Sequence, residues 1–191
     1  MNTSKSILTS LFFLLLCPVF GQSKKDTIIN KVKYNWVKYD LNKNPYEIGQ
    51  DYTNGIKNGK WIFRDHRGRI TSILNYINDT ISGEAIYFDY MNDPTATQTS
   101  GLMLKNNKVG IWVSKKKQNR HNFLSRWVTY GTLMYDTNGK LISRTVLNKR
   151  GKPVYDAFYD KKGEECFWRF YNKRGKLKRE TNIYPYITVQ I

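Results

Sequence analysis

Acidic side chains are scarce in this sequence. Asp and Glu together number 15 against 32 Lys and Arg, a formal charge of +17. That excess favours anionic partners, although charge speaks to association and solubility rather than to fold. Cysteine is nearly absent, with 2 in the whole chain. Cys17 lies in the N-terminal apolar stretch, and Cys166 stands alone between Glu165 and Phe167. One remaining thiol excludes an internal disulfide framework, so the fold must rest on packing. Histidine is limited to His66 and His121, and neither has a metal-ligand spacing to Cys, Asp or Glu. Both read as polar loop residues. Proline is rare, with 5 in all, placed in the N-terminal stretch, in turn-like segments and in the tail. Sustained helical spacing is missing, and so are GxSxG, P-loop, GxGxxG and HExxH motifs. Nothing in the sequence therefore points to an enzyme, a metal or a cofactor.

What is present is a repeated turn. The segments DTNGK, NKRGK, DKKGE and NKRGK place glycines at Gly139, Gly151, Gly163 and Gly175, each twelve residues after the last. Asp or Asn stands first in each (Asp136, Asn148, Asp160, Asn172) and Gly fourth. An Asx side chain caps the amides of its own turn, and Gly takes the left-handed conformation that closes a type I hairpin loop. Earlier in the chain, DHRG ends at Gly68 in the same form. The residues between turns suffice for one strand each. Aromatics make up 15% of the chain and suit a pleated surface. The spacing predicts an all-β fold, an elongated antiparallel meander built from repeated hairpins.

The chain divides into four parts. Residues 1–21 carry Lys5, an apolar run from Ile7 to Leu16, and small residues Val19 and Gly21 before Gln22. This is the pattern of a secretory signal peptide, too short for a membrane span. It predicts an exported protein of the periplasm, cell envelope or medium, with no transmembrane span after cleavage. Residues 22–33 form a polar lead-in and residues 34–179 a repeat array. Polar insertions interrupt the array at 91–100 and 114–125, the second of which could hold a short helix. Residues 180–191 close the chain. Trp61 and Trp112 recur at one place in the repeat frame, which reads as core packing, with an exposed sugar-stacking platform as the sharper alternative.

The frame G-x-W-x-x-(Y/F)-(D/N)-x-x-G-(K/R) is met by Gly59, Trp61, Asp65 and Gly68, and in part by Gly83, Tyr87 and Asp89 and by Gly110 and Trp112. Its second half recurs from Tyr135 to Lys140, Tyr159 to Glu164 and Tyr171 to Lys176. The chain thus resembles the bacterial variant of MORN repeats, found in exported proteins and in antitoxins of the YwqK type. The resemblance spans roughly Tyr34 to Arg179 and implies stacked hairpins in a twisted sheet. It implies a scaffold with varied partners rather than one function. An immunity or antitoxin-like protein that neutralises a secreted toxin is the alternative it raises.

In a meander, consecutive turns fall on opposite edges. Turns through Gly59, Gly83, Gly110, Gly139 and Gly163 are expected on one edge. Turns through Gly68, Gly151 and Gly175, with both insertions, are expected on the other. The second edge then collects Arg67, Arg69, Lys115, Lys116, Lys117, Arg120, Lys149, Arg150, Lys152, Lys173, Arg174 and Lys176. Insertions on one face of a repeat array commonly mark its binding face. The expected partner is a protein or an anionic envelope component: lipopolysaccharide, a phospholipid headgroup or an acidic glycan. Nucleic acid fits the charge but not the export. The bland reading is a lysine edge that prevents strand pairing between molecules.

Overall fold

The computed structural model describes residues 22–23, 27–29, 32–90, 96–118 and 126–183. The expected signal segment, Arg120, His121 and the end of the tail lie outside the described residues. Every element described is a strand. The first four are short: β1 (Gln22–Ser23), β2 (Thr27–Ile29), β3 (Val32–Tyr34) and β4 (Trp36–Tyr39). Then come β5 (Pro45–Thr53), β6 (Ile56–Arg64), β7 (Ile70–Ile77), β8 (Thr80–Asp89), β9 (Thr97–Leu104) and β10 (Asn107–Gln118). The array ends with β11 (Arg126–Tyr135), β12 (Leu141–Leu147), β13 (Pro153–Tyr159), β14 (Glu165–Tyr171) and β15 (Leu177–Asn182). From β4 to β15 each strand pairs antiparallel with the next, and β1 adds to β4. The strands β2 and β3 form a separate hairpin. The all-β meander expected from the turn spacing is the fold.

Local chemistry explains the turns. In the loop after β11, Gly139 N bonds to Asp136 O at 3.1 Å, and Asp136 N bonds to Lys140 O at 2.9 Å. The Asp136 carboxylate accepts from the amides of Asn138 and Lys140 at 2.9 and 2.8 Å. The loops at Asp65, Asn148, Asp160 and Asn172 repeat this pattern, and their glycines lie at φ 72 to 88°. An earlier member starts at Asp40, where Lys43 takes the glycine place at φ 61°.

That substitution yields a test. A side chain at Gly151 or Gly163 would meet no atom within 4 Å, so only the backbone conformation resists it. Gly151→Val should cost on the order of 1 kcal/mol or more, and Gly151→Asn less. Lys43→Gly should run the other way and stabilise by about 1 kcal/mol. Urea midpoints check all three, and equal midpoints for the Val and Asn variants would sink the turn assignment.

Two expectations are corrected. Gly59, Gly83 and Gly110 are not turns. They sit inside β6, β8 and β10 at φ 71, 105 and 65°, where the register slips against the preceding strand. The chain reverses earlier, at Asn54–Gly55, Asn78–Asp79 and Lys105–Asn106, each pair at positive φ as a two-residue hairpin demands. The glycines are bulges that bend each strand over its neighbour. Secondly, the insertions are smaller than expected. Thr97–Ser100 belongs to β9, and Ser114–Gln118 extends β10 rather than forming a helix. The remaining gaps, 91–95 and 119–125, are outside the described residues.

The sheet has two cores, one on each face. On one face, Tyr34 packs with Val37, Ile48 and Ile62. On the other, Leu74, Ala85, Met103 and Trp112 are buried, with Phe63, Tyr76, Tyr87, Leu133 and Tyr135 against them. Trp61 and Trp112 are 0% exposed, so they are core residues and not a platform. Each lies flat on a glycine of the preceding strand, Trp61 on Gly49 and Trp112 on Gly101. Their indole N–H groups donate to Asn58 O and Leu102 O at 3.0 and 3.1 Å. From Arg126 onward, among the described residues, only Gly131 and Ala157 are buried. This half of the sheet is held by ladders, turns and half-buried aromatics such as Tyr155, Trp168 and Phe170.

Candidate functional site

The strand order fixes which turns share an edge. The loops at 40–44, 65–69, 148–152 and 172–176 fall on one edge, with the connections β8–β9 and β10–β11. The loops at 54–55, 78–79, 105–106, 136–140 and 160–164 fall on the other. Gly68, Gly151 and Gly175 are therefore on one edge, and Gly139 and Gly163 opposite. Loops on the same edge are two strands apart, about 9.5 Å, so the basic edge runs about 50 Å from β4 to β15.

The basic groups divide by how they are held. In each loop the Asx cap ties down the backbone and leaves the two central residues pointing to solvent. Arg67, Lys149, Arg150, Lys173 and Arg174 are exposed in this way, as are Lys152 and Lys176. None of them makes an ion pair among the described residues. Lys43, which the sequence pattern did not single out, joins them on the loop after β4.

Arg69 differs from the rest. Its Nε donates to Asp65 Oδ2 at 2.8 Å, and its guanidinium lies 4.4 Å from the Tyr90 ring centre. Burial pushes the Asp65 carboxyl up, but the bonds from Arg69 and Arg67 outweigh it and hold the pKa below its ordinary value. Arg69 is thus committed to its own loop.

Lys115, Lys116 and Lys117 lie on the extension of β10, opposite Thr129, Val128 and Trp127 of β11. Successive strand residues point to opposite faces. These three lysines therefore flank the edge on both sides and do not form one cluster. Arg120 lies outside the described residues.

The opposite edge is more nearly neutral than its lysine count suggests. Asp79, Asp136, Asp160 and Glu164 stand among Lys105, Lys140, Lys161 and Lys162. Asp79 and Asn106 turn inward and accept the amides of Lys57 and Ile81 at 2.7 and 2.8 Å, which stitches neighbouring hairpins together. Lys57 and Lys108 leave the edge altogether. The Lys57 ammonium sits 4.5 Å from the Trp61 ring centre, and that of Lys108 sits 4.7 Å from Trp112. The spacing Lys-x-Gly-x-Trp, shared by Lys57 to Trp61 and Lys108 to Trp112, was the signal for these cages.

The basic edge offers rows of solvated cations on a rigid frame. Such a surface suits an extended polyanion better than a small molecule, because small ligands need concave sites. The clefts seen among the described residues lie on the sheet faces instead. Among those residues no three His, Cys, Asp or Glu groups converge as a metal site would require. Among the described residues no helix is long and apolar enough to cross a membrane. Compared with known proteins, the chain matches no family model and no curated protein.

Proposed function

We propose that the protein is an exported, non-enzymatic scaffold of MORN-like hairpins that binds an anionic envelope component through its basic edge. One observation carries this reading. The exposed basic pairs Lys149/Arg150 and Lys173/Arg174, with Arg67 and Lys43, fall on the same edge, while the acidic loops Asp136 and Asp160/Glu164 fall opposite. Asx capping supports it further, since Asn148 and Asn172 cap without adding the negative charge that Asp136 and Asp160 bring. Lipopolysaccharide, phospholipid headgroups and acidic glycans all present charge repeated over tens of ångströms, on the scale of this edge.

The test is binding of the mature chain to vesicles with anionic headgroups, to lipopolysaccharide and to an acidic polysaccharide across a salt series. Binding is expected at low salt and should fall steeply as the screening length drops from about 8 Å at physiological ionic strength to about 3 Å at 1 M. No binding at low salt would leave the lysines as solubility devices and favour the immunity-protein reading. Export makes its own prediction. The envelope protein should begin at Gln22 by mass spectrometry, and an intact Met1 would count against it.

A further inference from the structure

The sheet face that carries Tyr34 is sealed at one end and open over its middle. Tyr34 packs on Val37, Ile48 and Ile62. Cross-strand partners share a face. The register therefore carries this row on from Ile62 to Ile73, Ile86, Ser100 and Val113. Ile86 and Val113 are only half-buried.

Two further rows stand beside it, toward the edge opposite the basic loops. In one, Leu102, Ile111 and Met134 are 53, 63 and 45% exposed, and Ile111 pairs with Met134. In the other, Ile56, Ile77 and Leu104 are exposed, each next to one of the reversals at 54–55, 78–79 and 105–106. Their strand neighbours Lys57, Tyr76 and Met103 pack with Trp61 or Trp112 on the other face. Successive residues alternate, so these three point to the open one. Between the rows lies a cleft of about 310 Å³, walled by Ile86, Leu102, Ile111 and Val113.

The open patch runs from β6 to β11, five strand spacings or about 24 Å, and is three rows deep, about 20 Å. Its footprint is thus about 500 Å², and protruding side chains raise the accessible area toward the about 800 Å² that each partner gives to a standard interface. An apolar patch of this size marks an interaction surface in a soluble chain.

Charge selects the occupant. A strongly basic chain repels its own kind wherever its cations meet. On this face Lys60 pairs with Asn75 and Glu84 with Leu102, so the rows carry opposite signs that offset each other. The loops at 65–69, 148–152 and 172–176 lie on the far edge. Two copies can meet here with their basic edges outward, whereas an anionic surface is drawn to those edges. We propose that this face packs on the same face of a second copy, as a two-fold dimer. Aliphatic rows interdigitate with their own kind when sheets pack about 10 Å apart, which a self-complementary two-fold contact requires. Such a dimer carries two basic edges, and a polyanion that reaches both gains avidity. That consequence rests on the proposed function; the dimer itself does not.

The experiment measures the mass of the mature chain by light scattering and sedimentation over a dilution series. Two chains are expected at NMR concentrations and one on dilution. Ile111→Glu should weaken the dimer about a hundredfold or more, because the two-fold axis buries the charge twice at about tenfold or more each. Leu177→Glu, on the terminal strand β15, should leave it intact. A second readout needs no variant. Methyl signals of Ile111 and Met134 should shift on dilution of the parent, and those of Leu177 should not. A single chain at every concentration would overturn the proposal, and binding to neutral phosphatidylcholine vesicles that Ile111→Glu abolishes would then assign the patch to a lipid surface. A dimer that survives Ile111→Glu, that Leu177→Glu dissociates, or that leaves the Ile111 and Met134 signals unmoved would overturn it equally.

Discussion

Gly101→Ala should destabilise the protein by about 3 kcal/mol, near the upper end for an overpacked core. A Cβ at Gly101 would lie 2.5 Å from Trp112 Cγ, well inside contact distance. Trp112 is 0% exposed and stacked on Tyr87 with ring centres 6.0 Å apart, so it has nowhere to go. Gly49→Ala should behave alike, since its Cβ would lie 2.4 Å from the Trp61 ring. Gly68 is the control. A Cβ there meets nothing within 4 Å, so Gly68→Ala bears only the cost of φ 74°. Trp112→Ala alone should cost about 3–5 kcal/mol. The double change should cost less than the sum, because the clash vanishes with the ring, and coupling between contacting residues commonly reaches about 0.5–3 kcal/mol. Urea unfolding followed by tryptophan fluorescence measures each arm. Additive losses would mean that the ring does not lie on the glycine.

This pairing also shows where the sequence could be read and where it could not. The turns at Asp65, Asp136, Asn148, Asp160 and Asn172 are legible because an Asx cap and a left-handed Gly act within five residues, without help from the rest of the fold. The bulges at Gly59, Gly83 and Gly110 looked like turns because a bulge asks the same positive φ of Gly. The true reversals at Asn78–Asp79 and Lys105–Asn106 contain no Gly at all. Thr97–Ser100 read as an insertion because its residues are polar, yet a single-layer sheet can tolerate a polar strand between two paired neighbours. The edge partition depended only on counting reversals. The cages did not, since Glu47 meets Lys57 only through the β5–β6 register, which no local pattern reveals.

Reversing Lys149, Arg150, Lys173 and Arg174 to Glu should weaken binding to anionic vesicles by about a thousandfold at low salt. Each basic residue near an anionic surface is worth about 1 kcal/mol, so loss of four removes about 4 kcal/mol before any new repulsion. The two loops lie on one edge, about 9.5 Å apart, close to the physiological screening length of about 8 Å, so they act on one patch of surface. The control must change net charge equally. Lys57 and Lys108 cannot serve, because their ammonium groups pack on Trp61 and Trp112 and their reversal would disturb the core. Lys105, Lys140, Lys161 and Lys162 on the opposite edge are suitable, and their reversal should weaken binding far less. Both variants should melt near the parent, since an exposed substitution shifts stability by no more than about 0.5 kcal/mol. Equal loss from both would reduce the edge to general positive charge. Selective loss, steep in salt, would place the partner against the loops at 148–152 and 172–176, where Asn rather than Asp closes the turn and leaves the basic pair uncompensated.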